Sequence, residues 1–136
     1  MDFMKSMQIA AAGLRVQSGR MRVIAENLAN SNSTAATKDD QPYRRKIPTF
    51  RQIFDRELGV TVVKSGPIKL DRSAFGLRYE PGHPAADAKG YVKTPNVNSL
   101  IETMDLREAQ RTYEANLNII SSTRRMLART LEILRA

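Results

Sequence analysis

All six prolines of this 136-residue chain, and five of its seven glycines, lie between Ser31 and Pro95. Proline breaks helix interiors and glycine weakens them. That distribution therefore confines any long helix to the two ends of the chain. From Phe3 to about Asn30 the sequence meets only Gly13 and Gly19, and from about Asn98 to Leu134 it meets neither residue type.

Both ends carry helical periodicity. In the first, Met4, Met7, Ala11, Leu14, Ser18, Met21, Ala25 and Leu28 alternate in steps of three and four, the spacing of a heptad seam. Phe3, Ala10 and Ile24 widen one side of it. A seam of Met and Ala allows close approach and adaptable packing. The run Asn30-Ser31-Asn32-Ser33-Thr34 then ends the helix, because Asn tolerates the left-handed conformation that closes one.

At the other end, Asn98 or Ser99 is suited to cap the helix, with Glu102 and Asp105 early and Arg124, Arg125, Arg129 and Arg135 late. That order complements the helix dipole, and Glu102 and Asp105 read as dipole partners rather than a catalytic pair. Leu106, Tyr113, Ile120, Leu127 and Leu134 recur every seven residues, thickened by Ala109, Leu117 and Leu131. Ile119, Met126 and Ile133 form a second stripe, about 100° round the helix from the first. One partner needs one stripe. Two stripes call for a helix wedged between at least two neighbours.

At 1.5 Å per residue the helices would run roughly 40 and 55 Å. A middle zone with few aromatics is too small to cover both (only 6% of the chain is aromatic, and none of it Trp). Apolar surface would stay open on the monomer, and such surface marks an interaction site. The chain is expected to complete its core by assembling.

The middle zone reads as irregular or β-rich. Tyr43–Phe54 and Val60–Lys64 are strand candidates, with Val60-Thr61-Val62-Val63 the best. Gly66-Pro67, Pro81-Gly82-His83-Pro84 and Lys89-Gly90 signal turns. This zone also carries +5 of the net charge of +8. Such a balance permits nucleic acid, acidic lipid or acidic protein as partner and selects none. A basic helical adaptor or nucleic-acid-binding protein is thus the alternative reading. Its densest basic cluster, Arg44-Arg45-Lys46, has only Tyr43 beside it, whereas nucleic-acid recognition favours a basic helix face or interleaved aromatics. The cluster reads as a solvated charged turn.

Other chemistry is sparsely represented. With no cysteine there are no disulfides, thiolate metal sites or thiol catalysis. The single histidine, His83, lacks partners at metal-ligand or acid–base spacing. Nucleophile elbows and phosphate loops are missing, so neither an enzyme, a cofactor nor a small-molecule substrate is expected. No run approaches the roughly 20 apolar residues of a membrane span. Ser6–Leu14 could pass for a short leader, but Asp2 and Gln8 count against it, and cleavage would remove half a good helix.

Several local runs go beyond periodicity. Ala25-Glu26-Asn27-Leu28-Ala29-Asn30 closes the first helix. Pro95-Asn96-Val97-Asn98 opens the last, which continues to Tyr113-Glu114-Ala115-Asn116. Between them stand Asp40-Gln41-Pro42-Tyr43-Arg44 and Tyr79-Glu80-Pro81-Gly82-His83-Pro84-Ala85-Ala86-Asp87. Together these runs resemble the rod proteins of the bacterial flagellar basal body, and the short proximal-rod members in particular. Departures are Glu26, where the family often has Ala, and Thr34, displaced behind Ser31-Asn32-Ser33. The resemblance leaves Phe50–Leu77 without a fold expectation.

What the resemblance implies is a subunit of the periplasmic rod. It would be exported by the flagellar type III apparatus without a cleaved signal peptide and would assemble with other rod proteins and copies of itself. Its terminal helices would line an inner coiled-coil layer around the axial channel. The expected fold is mainly α: two long terminal helices forming an antiparallel coiled-coil-like pair, with a small irregular or β-rich insert between them. The division is 1–34, 35–95 and 96–136. Interface candidates on the first helix are Met7, Leu14, Met21, Asn27, Leu28 and Asn30. On the last they are Leu106, Tyr113, Asn116 and Leu117, then Ile119, Ile120, Met126 and Leu127, then Leu131, Ile133 and Leu134. Asn30 is read first as a cap, and Asn116, on the main apolar stripe, as a contact between subunits.

Overall fold

The computed structural model describes residues 2–136. Helix α1 spans Phe3–Ala29 and α2 spans Ser99–Arg135. Six strands stand between them: β1 (Lys46–Ile47), β2 (Phe50–Asp55), β3 (Val60–Ser65), β4 (Lys69–Leu70), β5 (Gly76–Tyr79) and β6 (Tyr91–Thr94). They pair as three two-stranded antiparallel sheets, β1–β4, β2–β3 and β5–β6. The expectation of a mainly α fold is corrected to a mixed one, two helices flanking a β insert. Short strands between turns escape a period-based reading, because a two-residue ladder carries no period.

Internal contacts divide the chain into two compact units. The first comprises the chain up to Met21, Thr49–Pro67 and Arg107–Ala136; the second comprises Arg22–Pro48 and Ile68–Leu106.

Within the first unit, Gly13 lies against Asn116, and Arg20 pairs with Glu108 at 3.4 Å. As numbers rise along α1 they fall along α2, so the two segments run antiparallel. A Cβ on Gly13 would sit 2.9 Å from both amide atoms of Asn116, a separation that real Cβ atoms do not adopt. Glycine is what permits the approach. The segment Phe50–Leu77, left open by the sequence, begins with the β2–β3 hairpin. In its register Phe50 faces Ser65 and Asp55 faces Val60. Its tip turns on Gly59, at φ +65°, and the Asp55 carboxylate accepts the N–H groups of Glu57 and Leu58. One face turns inward through Val62 and Ile53, while Phe50 and Phe54 stand exposed on the other. At its root Gly66 N–H donates to the Thr49 carbonyl at 2.7 Å, and the Thr49 hydroxyl donates to the Pro67 carbonyl at 2.6 Å.

In the second unit α1 ends and α2 begins. The left-handed closure expected at Asn30 is absent, since no described non-glycine residue has positive φ. Instead the Asn30 side chain donates to the Glu26 carbonyl at 2.9 Å, and Ser31 and Ser33 hydroxyls cap the carbonyls of Leu28 and Asn30. The capping role holds by another route. At the start of α2, Asn98 Oδ1 accepts the N–H groups of Leu100 and Ile101, the expected N-cap. The β5–β6 sheet buries Val92 and turns Leu77, Tyr79 and Tyr91 outward, the two tyrosines meeting edge to face at 5.3 Å. Its turn closes at Gly90, φ +85°, where a Cβ would strike the Tyr79 ring at 2.9 Å.

Candidate assembly surface

The Asn27 side chain makes four hydrogen bonds in the second unit. Its Nδ2 donates to the Lys46 carbonyl (2.8 Å) and to Glu102 (3.1 Å), while its Oδ1 accepts from Tyr43 Oη (2.8 Å) and Lys46 N–H (2.9 Å). An amide has two donors and two lone pairs, so its hydrogen-bonding capacity is filled within the chain, and its exposure is 0%. Asn27, expected at a subunit interface, thus faces inward in the folded chain.

Glu102 lies beside it, 1% exposed, and its second oxygen takes the Arg45 guanidinium. Arg45 also reaches Asp71 at 3.5 Å, and Asn96 accepts the Arg45 N–H at 2.8 Å while donating to the Asp71 carbonyl. A buried carboxylate is tolerable only when paired and hydrogen-bonded, and each atom here meets that condition. Glu102 stands in the first turn of α2, where the helix dipole favours acid, and is in addition a buried structural anchor.

The charges respond accordingly. Burial pushes the Tyr43 phenol up to about 12, helped by the negative charges of Glu26 and Glu102. Burial would lower the Arg45 guanidinium, but Glu102 and then Asp71 outweigh it and raise the group. The Asp71 carboxyl is held below the usual range chiefly by the Ser73 N–H and hydroxyl, with Arg45 contributing.

Arg44-Arg45-Lys46 is therefore not a solvated turn. Arg44 donates to the carbonyls of Asp71 and Ser73 and stacks 4.3 Å from the Phe75 ring centre, and Lys46 pairs with Glu26. Each member is engaged within the chain. His83 joins Thr34 at 3.1 Å and accepts the Ala85 N–H at 3.0 Å, so the displaced Thr34 holds a loop. Among the described residues no group of three or more His, Cys, Asp or Glu could hold a metal, and no helix is long and apolar enough to cross a membrane.

The helices sort their side chains in an unusual sense. The most buried positions of α2 are Glu102, Ala109 and Thr123, small or polar residues spaced by sevens and multiples of seven. Its large apolar residues Leu117, Ile119, Met126, Leu131, Ile133 and Leu134 are all exposed, the last two at 75% and 77%. Leu106, Tyr113, Asn116, Ile120 and Leu127 are half-buried. On α1, Ala10, Val16, Val23 and Ile24 are buried. Met7, Leu14, Met21, Leu28 and Asn30 are half-buried, and Met4, Ser18 and Ala25 are exposed. The Met/Ala seam thus lies one residue off the line that turns inward. Sequence reasoning also missed Leu100, Ile101 and Met104, exposed at the start of α2 and outside both stripes.

These observations meet those from known proteins. A flagellar basal-body rod protein FlgC of Agrobacterium fabrum is 50% identical over 129 residues, covering 95% of this chain and 93% of its own. FlgC of Escherichia coli O6:H1 is 37% identical with 98% of each chain covered, and that of Bacillus subtilis is 37% identical over 94% and 95%.

The chain belongs to the FlgC family of flagellar basal-body rod proteins.

Residues 88–133 also match the family model of the flagellar basal body rod FlgEFG protein C-terminal region. In this FlgC-family chain the runs that carry the resemblance are largely internal glue. Asn27 of the N-L-A-N run, Tyr43, and Asn96 of the N-V-N run all belong to the cluster around Glu102 and Arg45. Asn116 of the Y-E-A-N run seats against Gly13. These FlgC relatives lend no support to the nucleic-acid alternative.

Proposed function

We propose that this chain is a structural rod subunit that completes its hydrophobic core with neighbouring subunits. The observation that carries the reading is the sorting of α2, with Glu102, Ala109 and Thr123 buried while Ile119, Met126, Leu131, Ile133 and Leu134 stay bare. Burying a Leu, Ile or Met side chain is worth about 1.5–3 kcal/mol, so this surface is a strong drive to associate. Segments 1–34 and 96–136 would supply an inner coiled-coil layer around the axial channel, and 35–95 would form the insert outside it. The half-buried Asn30, Tyr113, Asn116, Ile120 and Leu127 would lie at the margins of that layer. Contacts that do not close into a ring generate an open helical assembly, the geometry of a rod.

The partners are other rod proteins and further copies of the chain. It reaches the periplasm through the flagellar export apparatus. The test is genetic and biochemical. Deleting the gene should stop flagellar assembly before the hook, and the protein should be present in isolated basal bodies. Deleting Asp2–Leu14 should abolish incorporation. Hooks formed in its absence would sink the reading.

A further inference from the structure

We propose that the free edge of β3 is a docking site for an extended acidic segment of a neighbouring subunit, which adds to the β2–β3 hairpin as a third strand. The inference rests on the rod-subunit reading for the source of that segment. It goes beyond that reading in placing a site on the hairpin, away from α2.

The edge is open. Gly66 N–H donates to the Thr49 carbonyl, and the register then makes Arg51–Lys64, Ile53–Val62 and Asp55–Val60 the hydrogen-bonded pairs of the ladder. Thr61, Val63 and Ser65 therefore turn their N–H and C=O groups away from β2. The hairpin is a sheet of two strands, and among the described residues no other backbone group bonds these three. An unpaired edge is a template for a further strand.

A groove lies along it. Lys5 approaches Gly59 at the hairpin tip, and Gly19 approaches the Ser65 hydroxyl at its root, so α1 runs beside β3. The space between them is about 590 Å³, within the roughly 300–1,000 Å³ of pockets that hold ligands. Ala12 and Val16 on one wall and Leu58 and Val62 on the other make its middle apolar, where hydrogen bonds are stronger than in water.

The charge at the root selects the occupant. Arg15 and Lys64 line the groove, and Arg51 stands directly across the ladder from Lys64. Like charges placed so are destabilising. All three are exposed, and none forms an ion pair among the described residues. The groove's own carboxylates, Asp55 and Glu57, belong to the tip, and Asp55 already accepts two N–H groups. A carboxylate arriving beside Lys64 would relieve the repulsion and gain charge-assisted hydrogen bonds. An extended acidic strand meets both needs, whereas a docked helix would leave the edge unpaired.

The probe is a blocked pentapeptide, threonine–valine–glutamate–valine–threonine, added to the isotope-labelled full chain and followed by amide NMR. The amides of Thr61, Val63 and Ser65 should shift and exchange more slowly. The same peptide with lysine in place of glutamate should bind about tenfold more weakly, the effect of one charge-assisted contact. Val63→Pro removes an outward N–H and spares the β2–β3 ladder. It should abolish binding with an unchanged circular dichroism spectrum, while Val63→Thr should bind as the wild type does. Lys64→Glu should reverse the preference between the two peptides, and this reversal decides the matter if Val63→Pro disturbs the hairpin. Equal binding of both peptides, no binding, or peptide retained by a folded Val63→Pro chain would each overturn the proposal. In cells, Val63→Pro should stop swimming and Val63→Thr should not; full motility of the former would show that no strand adds there. The peptide assay needs no rod, so its failure leaves the rod reading standing. A chain that binds the peptide yet is absent from basal bodies would overturn that reading, and the neighbouring subunit as the source of the strand with it.

Discussion

Arg45 and Glu102 form an ion pair in which the carboxylate has no access to water. Removing one partner of such a pair strands the other, at a cost of about 3–5 kcal/mol, whereas replacing both with packed apolar groups is often neutral. Arg45→Met should therefore lower unfolding stability by about that amount in urea titrations, and Arg45→Met/Glu102→Leu should recover most of it. Tyr43 gives a pH signature. Its phenol is near 12 in the folded chain against 10.0 when unperturbed. Its contribution is fully present below pH 10 and lost as pH rises from 10 to 12. Tyr43→Phe, which forgoes one hydrogen bond worth about 1 kcal/mol, should be less stable at neutral pH. The gap between wild type and variant should narrow across that window in thermal melts. Asp71 works in the opposite sense: its lowered pKa supports the fold above pH 3.8 and stops doing so in stronger acid.

At the level of elements, both helices were legible because proline is confined to the middle and the ends keep a three-four spacing. The orientation of α1 was not. A search for apolar periodicity selects Met4, Ala11, Ser18 and Ala25, but the residues that meet α2 are Gly13, Arg20 and Asn27, spaced by sevens and none of them strongly apolar. Close approach and hydrogen bonding, rather than bulk, define that line, and neither leaves a hydropathy signal. The cluster around Glu102 escaped for the same reason. Its members, from Asn27 to Glu102, come from separated stretches that only the fold brings together. Gly13 supplies the test for this scale. Gly13→Ala gains helix propensity of about 1 kcal/mol but collides with Asn116. It should reduce helicity, and adding Asn116→Ala should restore it. If Asn116→Ala alone leaves assembly and motility untouched, Asn116 has no role between subunits.

For the whole molecule, the surplus of apolar surface at the helix ends and the saturated polar cluster at their roots predict uneven order in the free monomer. Amide exchange in dilute solution should be slow for Val23–Asn27 and Ile101–Ala109, where Ile24, Asn27, Glu102 and Ala109 are buried, and fast for Ala128–Arg135. Uniform protection of α2 would contradict this. The β insert was legible as strands and turns, yet Phe50 and Phe54 on the outer face of the hairpin had no sequence signal separating them from core aromatics. The inverted sorting of α2 has a consequence for how stability itself is defined here. A core finished by neighbours has no single melting temperature, because every contact that binds the folded chain shifts its unfolding by mass action. The midpoint should climb with protein concentration, and the subunit becomes a durable object only when it is no longer alone.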